Sequence, residues 1–424
     1  MPSSPRHRNS GNRKDRSSIE DRCMLPLSER TWYRAIACML TMIAVVGVLF
    51  GIYPTLLPAM IEQGWLSKSQ AGYVESAKSI GVLLGAFACT SIGKKYNLGI
   101  AARIFLLIGL VSLGLSAINF GPIWLGINRF AAGFSIAGAG MTAAALITQG
   151  AGSKHRGKII ALLALGAGFG TILMATTLPL PMIDIKVSAM NGWLYATLLF
   201  GLCIAIAWPG LRTRHGSLEF PDKKQSRSHH KRQLVVLTIC YGTMCIAATP
   251  VFVYLSTYIH DEYKVTLAFS SMAYAIAGLG VALGGFVCNG IFVRLVGRYF
   301  SLILTLSMGL GAALLIIFSN ILWVDLLASF LIAMTHSGCS TLRTHDILQL
   351  AGASGEVIWL KVVKVITSIA FAIGSFASGL LLAEGLGFDS LFIMSAITFS
   401  LALAASIFVT LPKSEHDATH DSTE

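Results

Sequence analysis

The sequence predicts an all-α membrane protein of twelve transmembrane helices, arranged as two six-helix pseudo-symmetric halves with both termini in the cytoplasm. Three observations predict it. Hydrophobic residues make up 54% of the chain and charged residues 12%, about half the charge of a soluble domain. The apolar residues fall in runs of the roughly 20 residues that a crossing needs. Outside those runs, Lys and Arg are concentrated in alternate connections.

In order, residues 1–33 form a Ser- and Arg-rich tail, expected to be disordered. The apolar run that follows is too long for a secretory signal, and Asp15, Glu20, Asp21 and Glu29 argue against a transit peptide. The N-terminal half, 34–211, holds spans at Ala35–Ile61, Ser69–Ile92, Gly99–Asn119, Gly121–Gln149, Lys158–Pro181 and Met190–Leu211. A basic linker, 212–233, separates it from the C-terminal half, 234–412. Spans there run Leu234–Ile259, Thr266–Phe292, Tyr299–Ser319, Ile321–Leu342, Val357–Ala383 and Phe388–Leu411, before a polar tail at 413–424. Asn119-Phe120-Gly121-Pro122 and Ser319-Asn320-Ile321 read as tight helical-hairpin turns.

The net charge of +12 resides in tails and loops, not on a globular surface, so it reports orientation rather than nucleic-acid binding. Lys94, Lys95, Lys154, Arg156, Lys158, Arg294, Arg298, Arg343 and the linker occupy one side. The other holds only Lys68, Lys186 and Lys264. Positive charge stays inside, and the expected location is the cytoplasmic (inner) membrane. Seven of the eight cysteines fall in apolar runs without metal-ligand spacing and read as small buried hydrophobes.

An internal repeat supports two halves. "GVLLGAF" at Gly81–Phe87 matches "GVALGGF" at Gly280–Phe286 in five of seven positions, and Pro54 and Pro250 stand at nearly the same offset. Duplicated halves with a site between them are the architecture of secondary transporters. "LGINRFAAGFSIA", Leu125 to Ala137, is similar to the fourth-helix motif of the major facilitator superfamily, with Arg129 and Gly133 in the motif's Arg and Gly places. The layout resembles that superfamily from the first span to the twelfth. "GIYPTLLPAM" and "SQAGYVESAKSIGVLLGAF" resemble its YbfB/YjiJ-type branch. The chain departs from the pattern where the loop after the second span, "GAFACTSIGKK", lacks the family's Asp. "RLVGR" at Arg294–Arg298 is similarly degenerate, and Phe50 stands where the branch usually has Arg.

Charges inside spans nominate the site, because each costs about 2.5–3.5 kcal/mol at membrane depth. Glu75 and Lys78 lie roughly 9 and 13 Å into the second span and, three residues apart, share a face. They either neutralise each other, with Lys78 free to snorkel, or face a central cavity. The branch usually has Asn at the Lys78 position. Arg129 either ties backbone carbonyls or, as the resemblance implies, couples proton or substrate movement to conformational change. His336 is a core histidine or a proton carrier. Asp325 reads as interfacial, and Lys361 and Lys364 as snorkelling cations near a membrane face. Tyr53, before Pro54 in a span weakened by proline, is the best neutral substrate contact. Tyr254, Gln149 and Asn128 are weaker ones.

The first reading is a secondary transporter for a small anionic or zwitterionic metabolite, working by alternating access and driven by protons. Its substrate-binding candidates are Lys78, Tyr53, Glu75, Arg129, Gln149 and Tyr254, and its proton-coupling candidates Glu75, His336 and Arg129. It would work as a monomer in the lipid bilayer with no cofactor, metal or nucleic acid. A lipid-modifying enzyme using His336, His345 and Asp346, or a receptor on a transporter scaffold, are the alternatives. The chain has no P-loop and shows no substantial polar catalytic loop.

Overall fold

The computed structural model describes residues 29–148, 153–179, 189–211 and 231–409. The two terminal tails, most of the linker, and Gln149 lie outside the described residues. Helix α1 comprises Glu29–Met42, a π-helical turn Ile43–Val48, and Leu49–Glu62. It is followed by α2 (Lys68–Lys95), α3 (Leu98–Ser116), α4 (Pro122–Thr148), α5 (Ser153–Thr177) and α6 (Ala189–Ala207). The second half has α7 (Lys231–Tyr263), α8 (Leu267–Phe286, running into a π turn Val287–Phe292), α9 (Val293–Phe318), α10 (Leu322–Ala383) and α11 (Phe388–Ile407).

Among the described residues, ten helical stretches are long and apolar enough to cross a membrane. One of them, Leu267–Phe318, has 52 residues. It runs through α8, the π turn and α9, and is broken inside α9 at Gly297, whose φ of 75° is tolerated without a Cβ. The expected tenth and eleventh spans fall within the single helix α10, as segments Leu322–Ala351 and Trp359–Ala383. They nonetheless run in opposite directions. Asp325 meets Tyr258 and Asp346 meets Tyr241, whereas Ile366 sits beside Gly242 and Gly374 beside Thr249. Residues 346 and 366 therefore lie at the same level of α7, and the chain reverses between them.

The connections α1–α2, α3–α4, α7–α8, α9–α10 and α10–α11 lie at one end, the turn pole. Ser67 and Gln70 form a reciprocal capping box at the start of α2. The Asn119 side chain accepts from Gly121 N, closing the α3–α4 turn, and Ser319 does the same for Ile321 N. Both tight turns are found where the sequence places them. The opposite end, the basic pole, carries Lys95, Arg298 and Arg343.

Two hydrophobic cores form, one mainly from α1–α6 and one mainly from α7–α11. The repeated glycines explain how each half packs. A Cβ at Gly81 or Gly85 would run into the carbonyls of Phe130 and Phe134 on α4. At Gly280 and Gly284 it would meet the carbonyls of Phe330 and Met334 on α10. The repeat is thus a repeated close approach of two backbones, the small-residue packing that membranes favour.

Gly133 and Gly126 on α4 separate packing from propensity. A methyl at Gly133 would strike the Lys78 carbonyl, while one at Gly126 meets open space. Gly133→Ala is expected to cost about 1–3 kcal/mol as overpacking, and Gly126→Ala to be neutral or better. Thermal melting of the purified protein in detergent checks this; equal melting of the two variants would contradict it.

Candidate functional site

The same helix contact that packs α2 on α4 assembles the site. Gly133 lets α4 approach the Lys78 carbonyl, which brings Arg129, one turn earlier, beside Glu75. Lys78 Nζ donates to Glu75 Oε1. Arg129 Nη2 stands 3.5 Å from Glu75 Oε2, and Nη1 donates to the Leu49 carbonyl at 2.9 Å. Leu49 lies between the π turn and Pro54, where the helical ladder is loosened. Glu75 and Arg129 are 0% exposed and Lys78 1%. One carboxylate therefore serves two cations away from solvent, and Arg129 Nε and Nη2 and Glu75 Oε2 make no hydrogen bond among the described residues.

Aromatic rings from both halves close over this cluster. Lys78 Nζ lies 3.6 Å from the ring centroid of Phe50 on α1 and 5.2 Å from that of Phe371 on α10. The Arg129 guanidinium is 5.0 Å from the Tyr53 ring. Phe50 packs edge-on to Phe252 and Phe371, and Phe252 in turn to His336 at 4.9 Å. Tyr274, buried on α8, packs against Gly51. At the half-repeat shift, Tyr274 and Ala277 occupy the places of Glu75 and Lys78. The glycines recur in both halves and the charges do not.

The other sequence candidates separate. Tyr53 Oη donates to the Ala71 carbonyl at 2.9 Å and Tyr254 Oη to the Lys68 carbonyl at 3.0 Å. Both hydroxyls are engaged with the start of α2, while the Tyr53 ring remains against Arg129. Asn128 donates to the Trp124 carbonyl of its own helix. Gln149 lies outside the described residues. His336 Nδ1 has no hydrogen-bond partner among them. Arg343 stands on the basic side, its guanidinium 5.9 Å from the Tyr241 ring, and Lys364 lies two residues before Ile366, which sits beside Gly242. His336, His345 and Asp346 do not converge: His345 is exposed, and Asp346 is buried between Arg298 (2.6 Å) and Tyr241 (3.1 Å).

Three polar clusters escape the sequence reading. Asp325, expected at the interface, is 0% exposed. The hydroxyls of Tyr258 (2.5 Å) and Tyr263 (2.6 Å) take the place of water on its Oδ2. Arg298 of the degenerate loop finds its acid, Asp346, on α10 instead of in the loop. At the turn pole, Lys68 pairs with Asp261 at 2.6 Å and His260 with Glu62 at 2.8 Å, each joining the two halves. Among the described residues no group of His, Cys, Asp and Glu could hold a metal ion.

Residues 37–358 match the family model of the Major Facilitator Superfamily. The comparison with curated proteins returned no match. Two solved structures with a similar fold are of a bacterial homolog to the human lysosomal transporter Spinster. The inward-facing, unoccupied form is 14% identical over 90% of this chain and 95% of that one, with a TM-score of 0.65. The inward-facing, occupied form is 13% identical over 94% and 95%, with a TM-score of 0.63.

The two-to-one charge ratio orders the expected effects of substitution. Glu75→Ala leaves two like charges buried without a counter-ion and is expected to cost about 3–5 kcal/mol. Lys78→Met leaves a one-to-one Glu75–Arg129 pair and is expected to fold much like the native chain. Melting temperature and monodisperse yield of the two variants, side by side, test the ranking; Lys78→Met being the less stable would refute it.

Proposed function

The chain belongs to the Major Facilitator Superfamily, and we propose that it is a proton-coupled secondary transporter of a small anionic or zwitterionic metabolite. Family and fold support a multi-pass membrane transporter rather than an enzyme. The observation that carries the substrate class is the excess of buried cations. Lys78 and Arg129 share the single carboxylate of Glu75, so the site holds one positive charge too many, and a buried charge without a partner is costly. An anionic group supplies that partner. It takes Lys78, and Glu75 is then free to satisfy the open donors of Arg129. A zwitterion would place its cationic end against Phe50, Phe252 and Phe371.

Proton coupling follows from the same balance. Protonating Glu75 removes the only resident negative charge and raises the demand for an anion, so proton and anion favour each other's binding. His336, behind Phe252, is the second proton candidate and Arg129 the fixed charge against which Glu75 works. That Lys78 rests on Phe50 supports the YbfB/YjiJ-type reading, in which Lys78 supplies the cation usually found at position 50. Twelve crossings are supported by the 52-residue stretch over α8 and α9 and by the apolar segment Leu165–Thr177 within α5. The protein is proposed to sit in the cytoplasmic membrane as a monomer. Its basic pole, linker and termini face the cytoplasm and its domain boundaries fall at 34–211 and 234–412.

Transport by purified protein in liposomes, against a panel of metabolites in counterflow, tests the reading. Lys78→Met should cut anion transport at least about tenfold, equivalent to ~1.4 kcal/mol, and Lys78→Arg should recover part of it. Full transport by Lys78→Met would remove this site from the account. Dependence on a pH gradient should be lost in Glu75→Gln or His336→Gln; its survival in both and in the double variant would exclude them as carriers. A reporter after Glu424 should read cytoplasmic, and one at Glu262 external; the reverse would overturn the orientation.

A further inference from the structure

His260 stands near the turn-pole end of α7, and both of its ring nitrogens face oxygen acceptors. Nδ1 lies 2.7 Å from the Val265 carbonyl and Nε2 2.8 Å from Glu62 Oε1. A neutral imidazole has one N–H and one lone pair. Donated to Val265, that N–H leaves a lone pair facing a carboxylate oxygen; donated to Glu62, it leaves one facing a carbonyl oxygen. Neither is a hydrogen bond. One added proton resolves the conflict, whether it makes the imidazolium or rests on Glu62 as a carboxyl that donates to Nε2. With that proton both contacts are hydrogen bonds at once; without it one of the two is lost.

Glu62 ends α1 in the first half and His260 belongs to the second, so this proton bridges the halves. We propose that His260 and Glu62 form a second proton-binding site, remote from Glu75, whose occupancy clasps the two halves shut at the turn pole. The proposal rests on alternating access. It adds a proton that is bound on closure, not one that travels with the substrate.

The surroundings separate this clasp from its neighbours. Lys68 at the start of α2 pairs with Asp261 and lies over the Phe388 ring of α11. Tyr254 Oη and Ser271 Oγ donate across the halves to the carbonyls of Lys68 and Thr55. The ordinary pKa values of lysine, aspartate and hydroxyl side chains lie outside pH 5 to 8. Among the described residues the other charged groups at this end are Glu262, Lys264, Glu384 and Asp389, all exposed, and Asp325, which is occupied by Tyr258 and Tyr263. Histidine is the side-chain type whose charge changes in that range. The closed form carries one proton more than the open form, so closure at the turn pole strengthens as pH falls and weakens as pH rises.

Spin labels at Phe120→Cys and Asn320→Cys, in the α3–α4 and α9–α10 turns of opposite halves, measure the gap directly. Both positions are exposed, and the seven native cysteines among the described residues are buried. In the full-length protein, the short-distance population should fall about threefold between about pH 5.5 and 8.5. His260→Ala should show the reduced population at both pH values. Glu62→Gln should show the full short-distance population at both, because its amide donates to an unprotonated Nε2. Lys68→Met should lower the population while keeping its pH response. A pH-independent distance in the unsubstituted protein, or an undiminished pH response in His260→Ala and Glu62→Gln, would overturn the clasp. Counterflow by the same preparations tells failure of the clasp from failure of alternating access.

Discussion

Glu75 is one carboxylate between two cations in the dry centre of the bundle, and much of the architecture follows from holding it there. Lys78 reaches it within a turn of α2, which needs only helical spacing. Arg129 reaches it only because Gly133 admits the Lys78 carbonyl and Gly81 and Gly85 admit the carbonyls of Phe130 and Phe134. Replacing any of these glycines by a larger residue pushes the guanidinium away from the carboxylate. Phe50 and Phe371 then cover the ammonium from both sides. The ring faces are attractive to a cation but cannot neutralise it. The site is left closely packed but electrically incomplete, with Arg129 Nε and Nη2 open, a condition that a binding site profits from and a purely structural ion pair would avoid.

The C-terminal half supplies a comparison within one chain. It repeats the glycine–carbonyl contacts through Gly280, Gly284, Phe330 and Met334, yet places Tyr274 and Ala277 where the first half has Glu75 and Lys78. Packing is thus common to both halves and the charge is particular to one. The second half contributes rings to the centre, Phe252 and Phe371, and cations nearer the basic pole, Arg343 and Lys364. An anion leaving Lys78 toward that pole would meet positive charge on the C-terminal side.

The membrane class, the duplicated halves, the hairpin turns and the Glu75–Lys78 pair are legible in the sequence because each is local: a run, a repeat, a cap, or a spacing of three. What escapes is what requires two distant segments to meet. Arg129 is visible as a buried charge, but its partner is 54 residues earlier in the chain. Asp325 reads as interfacial because its position near a span end is all that the sequence offers. Tyr258 and Tyr263, which bury it, arrive from another helix. The reversal inside α10 is legible as the break between the apolar runs ending at Leu342 and beginning at Val357, but the engagement of the Tyr53 and Tyr254 hydroxyls by α2 carbonyls has no local signature. The His260–Glu62 contact joins residues 198 apart.

The centre of the bundle holds two cations to one carboxylate, and anion binding there follows from that imbalance. Melting temperature of the purified protein with carboxylates and with amines built on the same carbon skeletons tests it, whatever the transported molecule proves to be. Carboxylates are predicted to raise the melting temperature of the native protein and to have no such effect on Lys78→Met, where Glu75 and Arg129 balance. Stabilisation of the native protein by the amines alone, or an equal effect of carboxylates on both proteins, would contradict the account.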